Sequence, residues 1–154
     1  MKKKVIHNQN KIIPLVLIFL PALVVYSVWL NYGFIQIDDG GQLLENTKLH
    51  SLSFSNFVEI FSSSTVSMYQ PLTSFSFAII TALFGLESAV PFHMFSIFLH
   101  LSNTWLVYKF SGKIFNNRIN ALLLPLIFSL HPLAVEAVAW VSATSTLMFT
   151  FFFL

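Results

Sequence analysis

The sequence predicts an all-α, polytopic helical membrane protein with about three full spans, an interfacial helix and a truncated fourth span. Three observations lead there. Of 154 residues, 56% are hydrophobic and only 9% charged, whereas a soluble domain carries about 25% charge. Mean hydropathy is +0.76 and 18 residues are Phe, a composition that excludes both a water-soluble globule and disorder. The apolar residues fall in runs comparable with the roughly 20 helical residues that cross a hydrocarbon core of about 30 Å. Because the chain has no Cys, disulfides, thiolate metal sites and Cys nucleophiles are also excluded.

Residues 1–11 form a basic N-terminus with Lys2, Lys3, Lys4 and Lys11, predicted to stay in the cytoplasm by the positive-inside rule. Residues 12–154 then make one transmembrane region. The apolar run 12–30 exceeds the 7 to 15 residues of a signal-peptide core and lacks a small-residue cleavage site, so it reads as an uncleaved anchor. Pro14 and Pro21 lie within it, as bilayer helices tolerate when neighbours satisfy the freed carbonyls. Residues 31–70 turn polar, with Asp38, Asp39, Gly40, Gly41, Glu45, Glu59 and the run Ser62-Ser63-Ser64-Thr65, and belong outside the membrane.

Two apolar stretches follow, 71–86 and 92–110. If both crossed the bilayer, Lys109, Lys113 and Arg118 would lie outside, against the charge bias. If 71–86 lies along the interface, those cations are cytoplasmic and 31–91 becomes a first external loop ending in a juxtamembrane helix. The second arrangement places seven of the eight Lys and Arg inside, Lys48 excepted, and all six carboxylates outside. A helix over 119–130 runs outward and ends at His131-Pro132, leaving Glu136 and Trp140 external. Residues 147–154 are too few to span and are expected to begin a helix that a longer protein continues.

This topology collects Asp38, Asp39, His93, His131 and Glu136 near one external surface, where ionisable groups beside a bilayer are functional candidates. Asp38-Asp39 before Gly40-Gly41 suits a solvated turn. Adjacent carboxylates can equally deprotonate a hydroxyl or hold a divalent cation. His93 and His100 share a helix face about 10 Å apart, too far to ligate one metal. His100 is expected to make a buried helix-to-helix hydrogen bond; for His93 packing and function weigh equally. His131 can serve as helix punctuation before Pro132, and an ionised Glu136 needs water or a partner. Tyr69 and Trp140 suit an interfacial aromatic belt. No phosphate loop, nucleophile elbow or zinc-type His-Glu helix is present, and no nucleic-acid partner is expected.

The ordered set Asp38-Asp39, Asn46, Tyr69-Gln70-Pro71-Leu72-Thr73, Phe84-Gly85, His93 with His100, and His131-Pro132 through Glu136-Ala137-Val138-Ala139-Trp140 resembles the N-terminal catalytic region of GT-C membrane glycosyltransferases. The most similar branch is the protein O-mannosyltransferase-like proteins that carry tetratricopeptide repeats. The resemblance covers residues 34–154, and its ordered set, not any single element, carries it. It implies a sugar, mannose or another hexose, moving from a polyprenyl-phosphate donor to a hydroxyl of a protein or glycan acceptor on the external face. Asp38 or Asp39 would be the catalytic base, and Tyr69, Gln70, His93, His131 and Glu136 would line the substrate site. A divalent cation could assist; no resident metal site is expected. The membrane would be the plasma membrane in a bacterium or the endoplasmic reticulum in a eukaryote.

The sequence also departs from that pattern. Gln70 stands where the family usually has Arg, Ser96 where it often has Asn, and Ala143, Thr144 and Thr146 where Gly, Arg and an acid are common. Two cations suited to a lipid phosphate are therefore absent. Two other readings compete: a non-catalytic membrane scaffold or truncated remnant of such an enzyme, and a small transporter or channel subunit using intramembrane His as a proton relay.

Overall fold

The computed structural model describes residues 12–35 and 38–154. The basic N-terminus and the pair Gln36-Ile37, both part of the sequence reading, lie outside the described residues. Helices account for all regular structure among the described residues, apart from an isolated bridge between Thr65 and Met68.

Helix α1 (Ile12–Tyr26) continues as a 3-10 turn, Ser27–Asn31. Pro14 falls in its first turn, where a missing N–H breaks no helical bond. Ile18, Ala22 and Tyr26 recur every four residues and form its buried face, as helical periodicity requires. Helix α2 (Phe54–Ser62) starts where the Ser53 hydroxyl accepts the Asn56 N–H at 3.2 Å, satisfying one of the orphan amides of a helix start. Helix α3 (Pro71–Phe84) begins on proline and has 14 residues, about 21 Å at 1.5 Å per residue, too short to cross a bilayer.

Helix α3 stops at Gly85, whose φ of 77° and ψ of −177° lie in a region that essentially only glycine occupies. Gly85→Ala is therefore expected to destabilise the fold by about 1–3 kcal/mol, measurable as a lowered thermal midpoint in detergent. An unchanged midpoint would contradict that backbone assignment.

Helix α4 (Val90–Ile114) is the longest, at 25 residues, and packs against α1, α3, α5 (Arg118–Leu130), α6 (Leu133–Ala139) and α7 (Thr144–Phe153). The Asn117 side chain caps α5 by accepting the Ile119 N–H at 2.9 Å. Helices α5 and α6 meet at 56°; the break is His131, driven to an extended ψ of 133° by the ring of Pro132. A 3-10 turn, Val141–Ala143, leads into α7. The Ser111 hydroxyl bonds the Ala121 carbonyl and His100 bonds the Ser129 carbonyl, so α5 runs antiparallel to α4. Ser96 meets Thr144 and Asn103 meets Leu147, so α7 runs parallel to it.

Helices over 71–86, 92–110, 119–130 and 147–154 agree with the sequence reading. Helices α2 and α6 were not expected; at 9 and 7 residues they are too short to show a clear period. The number of spans is the main difference. Among the described residues, only Ile12–Asn31, with 20 residues and mean hydropathy 2.4, is both long and apolar enough to cross a membrane, and α5 with α6 qualifies if the bent pair counts as one. Helix α4 is long enough but carries His93 in its first turn and Ser96, His100, Ser102, Asn103 and Thr104 farther along.

Those polar residues are arranged inside out. His93, Ser96, His100, Asn103, Thr104 and Ser111 are all buried, while Met94, Phe98, Trp105 and Phe110 on the same helix are exposed. Tyr26, Ile97, Leu99, Val138 and Leu147 form one core between α1, α4, α6 and α7. A second core, with Leu43, Leu49, Ile60, Phe77, Phe92 and Val141, lies at one end under the loop that carries the acid pair.

Candidate functional site

The acid pair opens a π-helical turn, Gly40–Leu44. Asp39 is completely buried and Asp38 only partly so. One carboxylate oxygen of Asp39 accepts the Ile35 N–H at 2.8 Å. The other accepts the N–H of Ser142 at 2.9 Å and also its hydroxyl. Ser142 lies 103 residues away, in the 3-10 turn that leads into α7. A carboxylate at the start of a helical run also meets the positive end of its dipole. Asp39 is thus a long-range helix cap. Among the described residues, no donor bonds the Asp38 carboxylate.

The neighbouring residues lock this turn in place. The Asp38 carbonyl accepts the Gln42 N–H at 2.9 Å, and the Gln42 side chain accepts from the Gln70 amide at 3.1 Å. A Cβ on Gly41 would come within 2.9 Å of Val66, so this glycine lets the turn pass close beneath the 65–68 loop. Asn46, part of the ordered set that carries the resemblance, acts here in the fold. Its side chain donates to the Gln42 carbonyl and caps the Thr47–Leu49 turn.

Tyr69 and Gln70 line a cleft of about 450 Å³ with Met68, Ser145, Thr146 and Phe149. Tyr69 is exposed and its hydroxyl donates to the Phe61 carbonyl at 2.9 Å. Thr146 also borders a second, mainly apolar cleft of about 370 Å³, which holds His100, Asn103, Phe128, His131 and Leu147. His131 ends α5, as the sequence allowed, and its Nδ1 also accepts the Leu133 N–H at 3.2 Å at the start of α6. Glu136 is exposed on α6. The structure thus gathers Asp38, Asp39, Tyr69, Gln70 and His93 at one end, sets His131 in the adjoining cleft, and leaves Glu136 on the surface.

His93 sits in the first turn of α4, 2% exposed, with the Asp39 carboxylate and the backbone of Tyr32 and Gly33 as its polar neighbours. Among the described residues, neither ring nitrogen finds a hydrogen-bond partner of ordinary geometry. His100 makes the expected helix-to-helix bond, its Nε2 lying 3.0 Å from the Ser129 carbonyl, between the rings of Tyr26 and Phe128. His100→Ala is expected to lower stability by about 2 kcal/mol and to leave insertion intact, as read by thermal unfolding in detergent. Wild-type stability would remove this packing role.

The positive charges stand elsewhere. Lys109, Lys113 and Arg118 lie at the far end of α4 and the start of α5; Lys109 is 16 residues, about 24 Å, along the helix from His93. On the acid-pair side, Lys48 bonds the Ser63 hydroxyl at 2.7 Å, the Ser64 carbonyl at 3.0 Å and the Thr65 hydroxyl at 3.4 Å. Among the described residues, no three His, Asp or Glu side chains converge as a metal site.

No protein-family model matches the chain, and no curated protein or solved structure is significantly similar to it. Sequence reasoning missed Ser142 and Gln42. Both act through partners distant in the chain, and neither belongs to a pattern with chemical meaning of its own.

Proposed function

We propose that the protein is a polytopic membrane glycosyltransferase that moves a hexose from a polyprenyl-phosphate donor to an acceptor hydroxyl on the external face. The observation that carries this reading is the division of labour in the acid pair. Asp39 is consumed by three hydrogen bonds, while the adjacent Asp38 is partly exposed and its carboxylate accepts no hydrogen bond among the described residues. A hydrogen-bond path runs from the Asp38 backbone through Gln42 to Gln70, at the cleft lined by Tyr69. In the reaction, Asp38 takes the acceptor's proton as its oxygen bonds to the anomeric carbon. The bond from that carbon to phosphate oxygen breaks, and polyprenyl phosphate leaves with the electron pair.

The membrane part rests on the inverted surface. Exposed apolar side chains cover the outward faces of α1, α5 and α7, including Ile12, Leu17, Val24, Ile127, Phe149 and Phe153. An apolar surface of this extent suits lipid and not water. Because α4 buries His93, Ser96, His100, Asn103 and Thr104 and exposes Phe98, Trp105 and Phe110, it serves as a span despite its sequence. Helix α3 then lies at the interface, and the acid-pair end faces outward, opposite the basic turn. Single Cys probes test this in a chain with no native thiol: Glu87→Cys should react with an impermeant maleimide added outside intact cells, and Asn116→Cys only after permeabilisation. The reverse pattern would overturn the orientation.

One observation favours the scaffold reading: the described cation on the acid-pair side, Lys48, is already committed to Ser63, Ser64 and Thr65, and a departing phosphate needs positive charge. Loss of hexose from a polyprenyl-phosphate donor, dependent on this protein in reconstituted vesicles, supports the transferase. Vesicles with inserted but inert protein would support the scaffold.

A further inference from the structure

We propose that Ser142 is a positioning residue for Asp38, acting through Asp39. For its catalytic readout this inference rests on the transferase reading. Ser142 gives both its N–H and its hydroxyl to one oxygen of Asp39, and Ile35 holds the other. Asp39 is fixed at both oxygens, so the adjoining peptide and the Asp38 side chain are aimed by a contact from a segment 103 residues along the chain. The same stretch of chain serves the cleft. Ser145 and Thr146, within one helical turn of Ser142, line it opposite Tyr69 and Gln70. A substrate in that cleft therefore presses on the turn that holds the acid pair, which couples occupancy of the site to placement of the base.

Ser142→Ala removes one hydrogen bond to a buried carboxylate and keeps the backbone N–H, so the fold should persist. In membrane vesicles, kcat for hexose transfer should fall about tenfold, with KM for the polyprenyl-phosphate donor within about twofold. Ser142→Thr should restore kcat. In an Asp38→Asn background, Ser142→Ala should cost nothing further, because the group it aims is already gone. A second readout needs no activity: Asp38→Cys should react with an impermeant maleimide several-fold faster when Ser142 is Ala than when it is Ser or Thr. Equal labelling rates in all three backgrounds, or failure of Ser142→Thr to restore what Ser142→Ala loses, would overturn the positioning role. Altered labelling of Asp38→Cys, with no hexose transfer by the protein that keeps Asp38 and Ser142, would support the clasp and overturn the transferase reading alone.

Discussion

Asp38→Asn is expected to lower hexose transfer by about 10²- to 10⁴-fold, the usual contribution of a positioned general base, without loss of insertion or thermal stability. Asp38 is partly exposed and its carboxylate accepts no hydrogen bond among the described residues, so the fold does not use it. The amide is nearly isosteric but cannot take the acceptor's proton. Donor binding should survive, because contacts to the sugar and lipid belong to other groups, so the loss should fall on kcat and not on KM. Steady-state rates in proteoliposomes check this. A variant that loses activity only through a raised KM would recast Asp38 as a binding residue.

Asp39→Ala should act on the fold instead. It strands the N–H and hydroxyl of Ser142 in a buried place, where each unsatisfied group costs about 1–3 kcal/mol, and releases the part-buried N–H of Ile35. Partial relaxation and entry of water reduce the sum, and a net loss of about 3 kcal/mol is expected. Thermal unfolding in detergent measures it, with Asp38→Ala as the comparison, which should stay within about 0.5 kcal/mol of wild type. Equal stability of the two variants would erase the difference in role between the adjacent acids.

Much of the helical plan was legible because it rests on long apolar runs and on punctuation with local causes. Pro71 starts α3 and His131-Pro132 breaks α5 from α6, whereas the stop at Gly85 was passed over and the helix carried on to Leu86. Helix α2 was hidden because its start depends on Ser53, one serine among many in a polar stretch. The span count was harder for a different reason. Hydropathy averages over a helix, and in α4 the average conceals which face each residue occupies: His93, His100 and Asn103 lower it, yet all three turn inward. His100 was readable as a packing residue because a polar group deep in an apolar helix must find a partner, and it found the Ser129 carbonyl. The two aspartates could not be told apart in sequence. Their difference comes from Ser142, 103 residues away, and no local pattern reports that contact.

The most direct test of the transferase account is donor-dependent hexose transfer in proteoliposomes containing either the wild-type protein or the Asp38→Asn, Asp39→Asn double variant, with insertion of each verified by labelling at position 87. The account predicts transfer by the wild type and none by the inserted double variant. Equal turnover by the two would contradict it, removing the acid pair as base and as cation site together and favouring the scaffold.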